Sequence, residues 1–160
     1  MIKKNKQNGA GAIEVIVGLS IVLIGIFSLL RTYNYYLKFG LSHKYDVQAG
    51  LLLEEGVEAV KIIRNISWNS RISTLTPGTS YHLAFVNSLW TSTTTNKYID
   101  GIFDRTFVLS DVYRNFSDDI SDSGTLDLNT KKVVVSIAYR NGLATTTKSI
   151  SVYITNLFNN

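Results

Sequence analysis

Three hydrophobic patterns follow one another along the chain. From Ala10 to Leu30 the residues are apolar, with Glu14 the one charge among them. About twenty such residues suffice to cross the hydrocarbon of a bilayer as a helix, so this stretch predicts a membrane or filament-core helix. Beyond Leu30 the pattern becomes periodic. Tyr45, Ala49, Leu52, Gly56, Val60 and Ile63 recur at spacings of three and four, which places them on one helix face. Glu54, Glu55, Glu58, Lys61 and Arg64 lie largely off that face. A helix from Ala10 to Asn65 would be a rod of roughly 80 Å at the usual rise per residue.

From Ser67 onward the pattern changes to alternation, in a composition rich in Thr, Ser, Asn, Tyr and Val. Strands are predicted at Ser80 to Val86, Lys97 to Ile99, Arg105 to Leu109, Lys132 to Arg140 and Thr147 to Thr155, with a turn at Pro77-Gly78. The last two are the clearest. Val133, Val135, Ile137 and Tyr139 share one face, as do Ile150, Val152 and Ile154, and the intervening Asn141-Gly142-Leu-Ala-Thr-Thr reads as a hairpin loop. Antiparallel strands with one apolar face need a cover, and the second half of the helix supplies it. The expected fold class is α+β, a long N-terminal α-helix packed on a C-terminal antiparallel β-sheet. The expected organisation is a leader at 1–9, an apolar helix at 10–30, an amphipathic half at 31–65 and a β-rich head at 66–160.

Charge changes this picture at the N-terminus. Three of the sixteen basic residues, Lys3, Lys4 and Lys6, precede the apolar helix. Without them 13 basic residues face 12 acidic ones, so the net +4 overstates how basic the remainder is and gives no support to a nucleic-acid partner. The leader lysines read as positive-inside signals, although Arg31, Lys38 and Lys44 weaken the asymmetry. Cysteine is absent, which excludes disulfides, a lipid-modified cysteine and a thiol nucleophile.

Glu14 is the candidate functional residue. A carboxylate in hydrocarbon must protonate or find a cation, so its presence near the start of a span marks a site. No A-x-A-like cleavage site follows Leu30, where the chain reads Arg31-Thr-Tyr-Asn-Tyr-Tyr, so the apolar helix is expected to be retained.

The N-terminus resembles that of type IV pilins and pseudopilins: a basic leader ending in Gly9, then Ala10-Gly11-Ala12-Ile13-Glu14 and about twenty apolar residues. The resemblance implies that prepilin peptidase cuts after Gly9, methylates the amine of Ala10, and leaves Glu14 as fifth residue. It departs from the family pattern in the small residues Ala10, Gly11 and Ala12, where the family usually has Phe-Thr-Leu. Cleavage at the competing Gly11 would make Glu14 third. The segment Leu51 to Arg64 also looks like a pattern in minor-pilin-like proteins. The family implies a structural subunit, a minor pilin or pseudopilin of a type IV pilus or of a type II-secretion-like filament, with Glu14 aligning subunits by pairing with a neighbour's N-terminal amine. The implied partners are other pilin subunits, prepilin peptidase, the pilus assembly machinery and the cytoplasmic membrane before assembly. The implied location is that membrane, then a cell-surface filament or a periplasm-facing pseudopilus. An adhesin or DNA-uptake tip protein tethered to the membrane is the alternative, with Trp90-Thr-Ser-Thr-Thr-Thr-Asn as a candidate adhesive loop.

Little else suggests chemistry. Glu54 and Glu58 share a helix face without a histidine partner and read as a solvated face or subunit contact. Asp118, Asp119, Asp122 and Asp127 make an oxygen-rich segment, but Thr130 stands where a calcium loop needs its bidentate glutamate, and a plain acidic turn is favoured. His43 and His82 have no ligand spacing, and no phosphate loop, G-x-S-x-G or H-E-x-x-H is present. Trp68 and Trp90 are expected in the core, with sugar binding as the alternative for an exposed ring. No enzyme activity, metal or cofactor is expected.

Overall fold

The computed structural model describes residues 10–141 and 144–158. Helix α1 runs from Ala10 to Ile66 and a single-turn α2 from Trp68 to Arg71. Six strands follow: β1 (Ser80–Val86), β2 (Leu89–Thr93), β3 (Phe103–Arg114), β4 (Ile120–Ser121), β5 (Thr125–Asn141) and β6 (Ala144–Thr155). The fold is α+β. The chain divides into two compact units, Met1–Lys44 and Tyr45–Asn160.

In the first unit, α1 has no interior to pack on. Every described side chain from Gly11 to Leu41 is exposed. A run of this length and apolarity near the N-terminus is able to cross a membrane. Ser20, Ser28 and Thr32 turn their hydroxyls back onto the carbonyls of Ile16, Ile24 and Ser28, so polar groups within the apolar run are satisfied by the helix itself.

In the second unit the remaining turns of α1 cover one face of the sheet. Neighbouring strands are all antiparallel, in the order β2-β1-β3-β5-β6, with β4 pairing the far end of β3. Facing α1, Phe103, Phe107 and Leu109 of β3 stand opposite Tyr139, Val135 and Val133 of β5. Ala49, Leu53, Val57, Val60 and Ile63 of α1 complete this core. Each fully buried large side chain contributes roughly 1.5–3 kcal/mol. Gly56 sits where the helix comes closest to the sheet. A Cβ there would lie 2.8 Å from Val135 Cγ1 and 3.2 Å from Arg105 Cδ. Glycine at this turn therefore sets the helix–sheet spacing.

Several details differ from the expectations. The helix face is broader than the six periodic positions, because Leu53, Val57 and Ala59 are buried as well. Residues 97–99 are not a strand. Asp100 and Gly101, both at positive φ, turn the chain at once, leaving one bridge between Ile99 and Phe103. The Thr/Ser-rich stretch proposed as an adhesive loop begins as strand β2, which pairs with β1 through a two-residue turn at Asn87-Ser88. Its hydroxyls suit an edge strand with one polar face. Strand β3 continues past Leu109 because Asp111 pairs with Lys131 and holds the ladder together. A bulge follows, in which β5 skips from Lys131 to Asp127 against Asp111 and Val112. Of the expected hairpin loop between β5 and β6, residues 142 and 143 lie outside the described residues.

Candidate functional site

The expected processing site falls at the edge of what is described. Gly9 lies outside the described residues, and Ala10 is the first residue of α1. Glu14 is exposed one turn into the helix, with no charged partner among the described residues of the chain. Around it Ile13, Val15, Ile16 and Val17 are all more than half exposed. Inside hydrocarbon, a lone carboxylate in such an apolar collar would have to protonate or pair with a cation.

Past Leu30, Tyr33, Tyr35, Tyr36, Leu37, Phe39 and Leu41 remain exposed. Tyr35 and Tyr36 meet edge to face, and Phe39 stacks on His43 at 6.1 Å between centroids. His43 is thus an aromatic neighbour on the helix surface, with no metal-ligand cluster about it among the described residues.

The head holds two polar clusters that sequence patterns did not single out. Arg105 points into the core at an inward strand position and is 4% exposed. Its Nη1 donates to the Leu52 carbonyl at 3.3 Å and pairs with Glu55 Oε2 at 3.1 Å. The guanidinium also lies 5.3 Å from the centre of the Trp90 ring. A cation buried this deeply is costly unless matched; the helix carbonyl, carboxylate and ring offset that cost, although the buried Nε has no hydrogen-bond partner among the described residues. Trp90 is accordingly half-buried against the core rather than displayed, and Trp68 is buried outright.

The second cluster ties α1 to β5 and β6. The Tyr139 hydroxyl donates to Asp46 Oδ1, while Lys148 Nζ reaches Asp46 Oδ1 and the Asp46 carbonyl at 3.2 Å each. Burial, then the hydrogen bond to Asp46 and its negative charge, push the Tyr139 phenol up to about 12. These partners are 93 and 102 residues apart in sequence, so no local motif announces them.

The acidic segment after β3 is organised by an arginine. Arg114 Nε donates to Asp127 Oδ2 at 2.6 Å, and its Nη1 to the Asp118 carbonyl at 2.7 Å. Asn115 Oδ1 accepts from the backbone of Ser117 and Asp119. Burial alone would raise the Asp127 carboxyl. Hydrogen bonds from Arg114, Thr130 and the Asn129 N–H outweigh it and hold the group below its ordinary value. Asp127 in turn raises the Arg114 guanidinium. No group of three acidic or histidine side chains able to hold a metal ion occurs among the described residues. The segment is a closed acidic turn with its own internal cation.

Comparisons of the chain with protein-family models, with curated proteins and with solved structures return no match. What the chain can do therefore rests on its own geometry. Two surfaces of the described residues stand out: the apolar length of α1 with Glu14, and a polar cleft beside Tyr98.

Proposed function

We propose that this chain is a structural subunit of a type IV pilus or type II-secretion-like filament, a minor pilin or pseudopilin. In this reading prepilin peptidase cuts after Gly9, and the protein waits in the cytoplasmic membrane before assembling through α1. The reading assigns it no catalysis. The observation that carries the reading is the uncovered apolar surface of α1, which continues past Leu30 as far as Leu41.

A bilayer covers about twenty helical residues, and tyrosines near the interface are common. Leu37, Phe39 and Leu41 lie beyond both. Helices of neighbouring subunits would cover what lipid does not. The same packing would bring a neighbour's free amine at Ala10 to the Glu14 carboxylate, and pairing would offset desolvation only in the correct register. Removing either partner would leave a buried charge uncompensated.

The test has two parts. Intact mass of the membrane-extracted protein, with co-expressed prepilin peptidase, is expected to match residues 10–160 plus one methyl group. The Glu14→Ala variant is then expected to be cleaved and inserted normally while filament incorporation falls by roughly tenfold or more. An unprocessed chain beside a competent peptidase, or undiminished incorporation of Glu14→Ala, would overturn the reading. The second reading, a membrane-tethered binding module, is favoured by the cleft beside Tyr98.

A further inference from the structure

The chain between β2 and β3 is held rigidly at its end. The Ile99 carbonyl accepts from the N–H groups of Ile102 and Phe103 at 3.0 Å, and the Ile99 N–H donates to the Phe103 carbonyl at 2.9 Å. This turn brings Tyr98, Gly101 and Ile102 beside Asp104 of β3, Arg140 of β5 and Thr145 of β6. Together they line an open cleft of about 400 Å³.

Two groups in the cleft are not used by the fold, and a third is used only in part. Tyr98 is 62% exposed, with no aromatic neighbour among the described residues. Arg140 is exposed and has neither carboxylate nor carbonyl partner among the described residues. The third is Asp104, which lines the cleft with its side chain 29% exposed while its Oδ1 is buried against His82 Nδ1 at 3.2 Å.

We propose that this cleft binds a neutral saccharide of one or two pyranose rings. An exposed tyrosine offers a flat face for the C–H side of a sugar ring and a hydroxyl at its rim. The Arg140 fork donates to ring and hydroxyl oxygens, the Asp104 carboxylate accepts from hydroxyls, and the Thr145 hydroxyl does both. The volume lies near the low end for small-molecule sites, which suits a short ligand. Charge selects the class. Arg140 and Asp104 balance each other, as do Lys97 and Asp100 flanking the turn. A phosphate chain or an acidic peptide would meet Asp104 beside Arg140 here instead of the cation cluster it needs. A purely apolar ligand would leave Asp104 and Arg140 desolvated and unpaired. The site is complete within one chain, so it stands whether or not filaments form.

Saturation-transfer NMR on the full-length protein in lipid nanodiscs tests this, with maltose, cellobiose and lactose as probes at millimolar concentration. Transfer to ring protons of at least one of them is expected. Tyr98→Ala and Arg140→Ala should each weaken binding by roughly tenfold or more, while Tyr98→Phe retains most of it. Both side chains are exposed, so tryptophan-fluorescence melting should match the parent and exclude unfolding as the cause. No transfer from any of the three sugars, or transfer unchanged in both alanine variants, would overturn the proposal. Displacement by inorganic phosphate at constant ionic strength would overturn it too, as it would mark an anion site.

Discussion

One helix, α1, is read by its surroundings in two opposite ways. Between Tyr45 and Ile66, one face of the helix meets a sheet of matching pattern, and Ala49, Val60 and Ile63 are almost fully excluded from solvent, while Val47, Leu51 and Ile62 off that face stay exposed. Between Gly11 and Leu41, residues at least as apolar meet nothing. Helix propensity does not distinguish these stretches, since both belong to one continuous helix. The difference lies in periodicity: a half built to pack on one sheet confines its apolar residues to a face, whereas a half built for lipid or for other helices is apolar all round. The same contrast appears in the glycines. Gly18 and Gly25 have open space where a Cβ would stand, and Gly56 has Val135 and Arg105 in that space.

The glycines give the sharpest way to break this comparison. Gly56→Ala forces a methyl against a fully buried valine on a sheet strand, so either the helix lifts or the strand repacks. A loss of about 1–3 kcal/mol is expected. Gly25→Ala meets no atom of the chain and should leave the head unaffected, while improving helix propensity by up to ~1 kcal/mol. Both tryptophans lie in the unit from Tyr45 onward, so thermal melting followed by their fluorescence reports that unit alone. Equal melting of the two variants would show that Gly56 does not set the helix–sheet spacing.

Most of this architecture was legible because it repeats. Strand β1 begins and ends where turn residues and alternation place it, and the inward residues of β5 and β6 follow the period of two. Strand β2 was missed since Leu89 to Thr93 carries hydroxyls on both sides of the alternation. That is the composition of an edge, and it also reads as a loop. Arg105 had a signal that hydrophobicity hides: by parity it shares the inward face with Phe107 and Leu109. Glu14 stands out in the sequence because it interrupts a run with no other charge. The saccharide cleft does not. Its lining comes from segments some forty positions apart, brought together by the β3–β5 and β5–β6 ladders and the Asp100-Gly101 turn.

The contact between the packed half of α1 and the sheet should also show itself in alkali. Tyr139 is held neutral by burial and by Asp46, and its phenol titrates near 12 instead of the ordinary 10. The folded state thus binds the proton more tightly than the unfolded chain does. The stabilisation is complete below pH 10 and is lost as pH rises from there through 12. Tyr139→Phe removes the titration, so its melting temperature should fall less steeply over that window than the parent's. It should also start lower at neutral pH, having lost the bond to Asp46. Parallel alkaline slopes for the two proteins would show that the Tyr139–Asp46 contact is not what couples the helix to β5.

The smallest effect is expected at the far end of the sheet, where no helix packs and a single arginine closes the acidic turn. Asp127 titrates below the ordinary carboxylate range because hydrogen bonds favour its charged form. Its contribution is present at neutral pH and is lost as pH falls through that depressed value. Asp127→Asn keeps the shape but removes the charge facing Arg114, so its stability should be lower at neutral pH and converge on the parent's in acid. The change should be smaller than that of Gly56→Ala, since Arg114 retains Asp118 and its carbonyl as partners. Amide hydrogen exchange resolved by segment separates the two: Asp127→Asn should loosen residues 114–127 alone, whereas Gly56→Ala should loosen α1, β3 and β5 together. Loosening of β5 along its whole length in Asp127→Asn would mean that the bulge at Val112 does not insulate the turn from the core.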